Sequence, residues 1–242
     1  MTAVDGPGIR DDRAATVAIA VWVKTPGYTP AKTRLAKVIG TKAAETFHRL
    51  AVNVVRENVD DARRLAPGLL EPYWAVAESE RAAHACWSGF AVVAQGEGGL
   101  GERLAQVYDI LELRHQAVLF IGADSPQLSP DVLVNAAASL VGSRKAHEFV
   151  VGPAMDGGFY AFGGRGGLPR SAWTGVTYSA STTMAELIAA LEPMGTVHVL
   201  ATSFDVDTIE DLLHLRDELS ITCDGGAARR ALRDWLQSLT YR

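Results

Sequence analysis

Asp124, Asp156, Asp205 and Asp207 each follow closely on an apolar stretch, and three cations, Lys24, Lys32 and Arg34, follow another. The sharpest case is residues 117–126, AVLFIGADSP, where five apolar residues from 117 to 121 end abruptly in Gly122, Ala123, Asp124, Ser125 and Pro126. Such a run suits a strand buried on both faces of a parallel sheet, so it delivers Asp124 at the strand's carboxyl edge. In open α/β sheets ligands gather at that edge. A carboxylate there is a natural ligand for a divalent cation carrying a phosphorylated substrate, since magnesium keeps several waters and needs few protein ligands. The same Asp could instead do no more than cap the turn before the next helix.

Residues 24–34, KTPGYTPAKTR, follow the first apolar run, and their two prolines and glycine oppose regular structure. A lysine offers phosphate a point charge and an arginine a bidentate fork, so this loop reads as a phosphate contact, with a merely solvated basic loop as the alternative. Asp156 stands between a Gly-Pro turn and the pair Gly157–Gly158, where backbone can approach a ligand without a Cβ in the way. Asp-Gly is equally a common hairpin turn. Asp207 precedes a helical stretch with Glu210 three residues on, in capping-box spacing, so it doubles as an N-cap candidate.

Alternating strands and helices are needed to bring these groups together. Residues 17–23, VAIAVWV, read as a buried first strand, and 41–65 as a helix with Ala44, Phe47, Leu50, Ala51, Val54 and Val55 on one face. Strands at 73–77 and 90–94 flank a short helical piece at 78–87. Gly96, Gly98 and Gly101 then spell G-x-G-x-x-G before a helix over 102–113. That spacing is the dinucleotide fingerprint of dehydrogenases, but the fingerprint belongs to the first strand of its domain and here comes third. A phosphate-binding or purely structural turn fits the position better.

Ser129 and Pro130 start a helix to 140, a strand follows at 148–151, and 159–162 is extended. Residues 163–177 are glycine-rich and read as an irregular lid or acceptor loop carrying Trp173, with Tyr178 just after it. A helix at 179–191, a strand at 196–200 and an amphipathic helix at 227–239 complete the chain. The expectation is one α/β domain over 16–222, with three layers and a mixed, mostly parallel sheet, preceded by a disordered tail at 1–15 and closed by an outer helix within 223–242.

Composition narrows the partners. The chain has 242 residues, 48% hydrophobic and 21% charged, with net charge −5, which argues against a nucleic-acid partner. Two distant cysteines, Cys86 and Cys223, build neither a disulfide framework nor a zinc site, and a reducing compartment fits them. No apolar run reaches the roughly 18 residues of a membrane span, and the first 15 residues lack the apolar core of a signal peptide, so the cytoplasm is the expected location. H-E-x-x-H, G-x-S-x-G and P-loop patterns do not occur.

The segments VKTPGYTPAKTRLA, QGEGGLGERL, IGADSPQL, GPAMDGGFYAFG and DVDTIEDL, in that order, resemble the successive motifs of a bacterial glycosyltransferase-A-like family, the radical-SAM/selenodomain-associated transferases. More distantly they are similar to phospholactate and molybdenum-cofactor guanylyltransferases. The resemblance implies the nucleotide-diphosphosugar transferase (GT-A) fold, a nucleotide sugar or nucleoside triphosphate as donor, a small-molecule acceptor, and Mg2+ or Mn2+. It places Lys24, Lys32 and Arg34 near the nucleotide phosphates, Gln95 and Gly101 beside the base, and Asp124 and Asp207 at the metal. Asp156 with Gly157 and Gly158 falls on the acceptor side, with Asp156 the candidate general base. Two departures stand out: Gly99 replaces a usual acid, and Tyr178, Ser179 and Ala180 replace a Trp-Ser-Thr run near the acceptor. The expected activity is a metal-dependent glycosyl transfer. Nucleotidyl transfer to a phosphorylated small molecule and a non-catalytic nucleotide-binding module are the alternatives.

Overall fold

The computed structural model describes residues 14–80, 83, 85–142, 147–221 and 225–239. Its elements are β1 (Ala14–Val23), α1 (Thr33–Ile39), α2 (Thr41–Leu65), β2 (Leu70–Val76), β3 (Ala91–Ala94), α3 (Leu100–Glu112), β4 (His115–Gly122) and α4 (Pro130–Val141). After these come β5 (Glu148–Pro153), β6 (Phe159–Arg165), α5 (Arg170–Thr174), α6 (Thr183–Leu191), β7 (Thr196–Val199), α7 (Ile209–Ile221) and α8 (Ala227–Ser238). The strands form one sheet in the order β3-β2-β1-β4-β6-β5-β7, in which β6 alone runs antiparallel to its neighbours. Apart from residues 14 and 15, which belong to β1, the expected tail lies outside the described residues, as do parts of the 78–87 piece.

Three layers follow from alternation along the central strands. Val17, Ile19 and Val21 of β1, with Leu119 and Ile121 of β4, meet Val55 and Val59 of α2 and Leu133 and Leu140 of α4. Ala18, Ala20, Val118 and Phe120 face the other way onto Leu104 and Tyr108 of α3, Trp173 of α5 and Leu187 of α6. Side chains in a strand alternate between faces, so a continuous apolar run fills both layers at once. A third cluster lies outside α2, where Leu212 and Leu215 of α7 and Leu232 and Leu236 of α8 pack with Phe47 and Val54. The Glu57 carboxylate of α2 accepts from the Ala228 and Arg229 amides, both at 3.1 Å, and so caps α8. Among the described residues no helix is long and apolar enough to cross a membrane.

The glycine-rich stretch expected to be an irregular loop is largely ordered. Gly163 and Gly164 lie inside β6, and Trp173 is buried in α5 rather than displayed on a lid. Both glycines are there for space: a Cβ on Gly163 would come within 2.8 Å of Leu140 from one layer, and one on Gly164 within 2.7 Å of the Tyr108 hydroxyl from the other. That hydroxyl donates to the Gly166 carbonyl at 2.7 Å.

At the amino edge of the sheet, away from the acids, His115 is 2% exposed. Tyr73 Oη stands 2.9 Å from its Nε2 and Thr16 Oγ1 2.9 Å from its Nδ1. Tyr73 also donates to Glu71 at 3.0 Å, which leaves Nε2 as the protonated ring nitrogen and Nδ1 as the acceptor of the Thr16 hydroxyl. Burial holds the imidazole below its ordinary value of 6.5, outweighing the nearby Glu71. The unfolded chain therefore takes up a proton that the folded one resists. Stability is full above pH 6.5, falls as pH drops through that value, and levels off below the depressed folded value. His115→Gln is expected to flatten the fall of melting temperature between about pH 7 and pH 5; thermal melts across that range would show parallel curves for both proteins if His115 played no part.

Candidate functional site

Two acid-bearing segments are stitched side by side at the carboxyl edge. Beyond β4, the Ala123 amide donates to the Trp22 carbonyl at 3.3 Å, and Asn58 of α2 grips the Pro126 and Leu128 carbonyls at 3.3 and 2.7 Å. The later segment lies along this turn. Val206 N donates to Asp124 O at 3.0 Å, Gln127 Nε2 to Phe204 O at 2.6 Å and Ser203 Oγ at 2.9 Å, and the Ser125 hydroxyl to the Asp205 carboxylate.

Asp207 is not the N-cap of α7. Asp211 Oδ2 accepts from the Asp207 amide at 3.0 Å, the Thr208 amide at 2.8 Å and the Thr208 hydroxyl at 2.9 Å, while Asp211 N donates back to Thr208 Oγ1 at 3.3 Å. Thr208 and Asp211 thus form the capping box, one residue later than the Asp207–Glu210 spacing implied. The shift frees the Asp207 side chain to turn toward Asp124.

Lys32 joins the two. Its ammonium lies 2.9 Å from Asp124 Oδ1 and 3.1 Å from Asp207 Oδ1, with its side chain 2% exposed against 43% and 37% for the acids. Lys32 sits at the start of α1 with φ 54°, a left-handed conformation uncommon for a residue with a Cβ. Burial alone would lower its pKa, but the two carboxylates outweigh that and raise it. Burial likewise opposes the charge of Asp124, and Lys32, with smaller contributions from His48 and Lys24, holds its carboxyl below the usual range. The Lys32 ammonium is therefore spent on carboxylates rather than offered to phosphate. Lys24 is exposed beside it, and Arg34, 70% exposed, reaches Asp207 Oδ2 at 3.5 Å.

The rest of the basic loop is anchored by residues the sequence did not single out. His48 Nε2 donates to the Lys24 carbonyl at 3.0 Å, so this ring nitrogen carries a proton because a carbonyl only accepts. Thr25, fully buried, donates its amide to both oxygens of Glu78 at 3.1 and 3.0 Å, and Trp87 Nε1 donates to its hydroxyl at 2.9 Å. Burial opposes the Glu78 charge, yet hydrogen bonds from Thr29 and Thr25 prevail and hold that carboxyl below its ordinary value. A histidine on the buried stripe of α2 was the one visible signal.

These groups line two joined lobes. The first, about 530 Å3, is bounded by Lys24, Lys32, Arg34, His48, Gln95, Gly98, Leu100, Arg103, Asp124 and Asp207. The second, about 640 Å3, shares Trp22, Lys24, Arg34, Leu100, Asp124 and Asp207 with it and adds Asp156, Gly158, Tyr178, Ser179 and Asp205. Gln95 spends its amide on the Ala75 carbonyl at 2.9 Å, inside the sheet edge. Gly101 is not at the cavity wall: a Cβ there would come within 2.6 Å of the Trp173 carbonyl, so it serves the packing of α3 on α5. Arg103, missed by the sequence reading, lines the first lobe and donates to Gly98 O at 3.0 Å.

On the acceptor side, Asp156 is exposed, with Oδ1 accepting from the Gly158 amide at 2.9 Å. Gly157 lies behind it, pressed on the Ser181 backbone and bonded through its carbonyl to Met184 N at 2.9 Å. Tyr178 lines the second lobe and gives its hydroxyl to Trp173 O at 2.9 Å; Ser179 is left-handed at φ 59°. Burial, helped by the Asp124 charge, raises the Asp205 carboxyl to about 6 despite its bond from Ser125.

A divalent metal would meet two protein carboxylates here, Asp124 and Asp207. Among the described residues no three His, Cys, Asp or Glu side chains cluster to hold one. Asp124 and Asp207 do converge on a single cation, the Lys32 ammonium, with their remaining surface open to the cavity. Two carboxylates of that kind, completed by substrate phosphates and water, fit the habit of magnesium.

Residues 66–180 match the family model described as "Uncharacterized protein conserved in bacteria (DUF2064)". No curated protein matches the chain in sequence. Among solved structures, a Desulfovibrio desulfuricans G20 protein, provisionally described as a nucleotide-diphospho-sugar transferase, is similar with a TM-score of 0.77 and 21% identity, over 91% of this chain and 96% of that one. A 4-diphosphocytidyl-2C-methyl-D-erythritol synthase from Anaerococcus prevotii DSM 20548 is similar with a TM-score of 0.51 and 11% identity, over 85% of this chain and 97% of that one. A nucleotidyl transferase from Methanothermobacter thermautotroptrophicus gives 0.51 and 14%, over 86% and 99%. At such identities the likeness is one of fold, and the fold is that of the nucleotide-diphospho-sugar transferases.

Proposed function

We propose that the protein is a metal-dependent glycosyltransferase that takes a nucleotide sugar as donor and a neutral small-molecule hydroxyl as acceptor. One observation carries this reading: charge is divided across the cavity. Of the charged residues that line one lobe alone, the first has Arg103, with Lys32 already paired to Asp124 and Asp207, whereas the second has the acids Asp156 and Asp205. Phosphates are drawn to the first lobe, and an acid-lined second lobe repels a phosphorylated acceptor while suiting a hydroxyl.

Lys24, Arg34 and Arg103 would bind the donor's phosphates, with exposed Leu100 giving its nucleoside an apolar surface. Mg2+ or Mn2+ on Asp124 and Asp207 would supply charge neutralisation to the phosphates as they depart. Asp156 would take the acceptor hydroxyl's proton while the oxygen bonds to the anomeric carbon, the bond from that carbon to phosphate oxygen breaks, and the nucleoside diphosphate leaves with its electron pair. Nucleotidyl transfer is the second reading, favoured by the fold's likeness to proteins described as a nucleotidyl transferase and a diphosphocytidyl synthase. The likeness to a protein described as a nucleotide-diphospho-sugar transferase supports the first.

A thermal-shift panel of nucleotide sugars and nucleoside triphosphates, each with and without Mn2+, is expected to raise the melting temperature with a nucleotide sugar plus metal. Asp124→Asn should abolish that rise. Lys24→Ala or Arg34→Ala should weaken donor binding by about tenfold to a hundredfold, the loss of one charge-assisted contact. Stabilisation that is indifferent to metal and to Asp124 would sink the metal site.

Product analysis separates the reactions. Nucleoside diphosphate release is expected, and Asp156→Asn should lower kcat by about 10^2 to 10^4 while leaving donor affinity unchanged. Pyrophosphate as product would assign nucleotidyl transfer instead. Donor binding without turnover on any acceptor would leave a nucleotide-binding module.

A further inference from the structure

The two carboxylates suited to a divalent metal already hold a cation of the chain's own. Lys32 approaches Asp124 at 2.9 Å and Asp207 at 3.1 Å, on the protein side of both acids. Its stem is confined. The Phe47 ring centroid lies 6.0 Å from Nζ, and the Lys32 carbonyl accepts from Ala36 N at 2.8 Å to begin α1.

The local charges balance. Asp124, Asp156, Asp205 and Asp207 supply four carboxylates, and Lys24, Lys32, Arg34 and Arg103 four cations, all lining the same cavity system. A bare divalent ion arriving there meets no net attraction, and it meets an ammonium within a few ångströms where solvent screens poorly. A diphosphate changes the sign, because its charges face Lys24 and Arg34 and leave the carboxylates in excess.

We propose that Lys32 makes this site refuse a free divalent cation and accept one only together with phosphate, so that metal and nucleotide bind as a unit. Lys32 is then a positioning residue that sets the order of binding, not a phosphate contact. The inference rests on the nucleotide reading above for the source of the phosphate.

Metal-stripped protein is titrated calorimetrically with MnCl2 alone and with premixed Mn2+ and pyrophosphate. The unaltered protein is expected to give no binding heat with Mn2+ alone and clear binding with the mixture. Lys32→Met should bind Mn2+ alone about tenfold more tightly or better, as expected for removal of one adjacent like charge, whereas Lys32→Arg should behave as the unaltered protein. Circular dichroism checks that each variant folds. Equal affinity of the unaltered protein for Mn2+ with and without pyrophosphate overturns the proposal even if Lys32→Met fails to fold, and so does a folded Lys32→Met that gains no affinity for Mn2+. Should Lys32→Met take Mn2+ alone while neither pyrophosphate nor any nucleotide binds the unaltered protein, the barrier at Lys32 stands, but the joint binding of metal with phosphate falls together with the nucleotide reading.

Discussion

A lysine ammonium withdrawn from water is costly unless opposite charge meets it, and much of this molecule's carboxyl edge is arranged to meet one. Lys32 comes from the loop after β1, Asp124 from the turn after β4 and Asp207 from the segment before α7. None of the three is near another in sequence. They coincide because Val206 lies on Asp124, Ser125 on Asp205 and Gln127 on Phe204, and because Asn58 holds the turn from beneath. The acids stay partly open while the ammonium does not, so the ion triad both closes the core and presents carboxylate oxygens to the cavity.

Anchoring of the basic loop follows the same logic. A loop bearing Lys24, Lys32 and Arg34 would fray if its charges only repelled. Glu78 answers from below through the Thr25 amide, and His48 through the Lys24 carbonyl. Both bonds are to backbone, so they fix the path of the loop without consuming the Lys24 and Arg34 side chains. Preorganised cations of this sort stabilise developing charge on a leaving group without having to rearrange as it forms.

Much of this was legible in the sequence. The run ending in Asp124 announced a central strand because a parallel strand covered on both faces has no polar positions to spare. The three cations were also readable from residue type and place, whereas the pairing of Asp124 with Asp207 came only from the resemblance to the transferase motifs. The inward turn of Lys32 was not readable, since nothing local distinguishes a lysine that meets phosphate from one that meets two carboxylates across the fold. Nor could local spacing choose between two capping boxes one residue apart; the pull of Lys32 on Asp207 agrees with the Thr208–Asp211 choice. Gly163 and Gly164 read as a loop because their reason for being glycine is the reach of Leu140 and Tyr108 from distant helices.

The G-x-G-x-x-G spacing shows most clearly how one pattern can serve another purpose. Gly96 and Gly98 do adopt left-handed φ of 81° and 95°, so the turn needs them. A dinucleotide fingerprint, however, works by leaving the helix N-terminal amides free for pyrophosphate. Here Glu102 accepts from the Gly99 amide at 2.8 Å, and Gly101 is occupied by its packing against Trp173. A negative charge already sits where that phosphate would have to go. What the helix does bring to the cavity is the Arg103 side chain, one turn in from those occupied amides and facing the same lobe as Lys24 and Arg34 of the loop after β1.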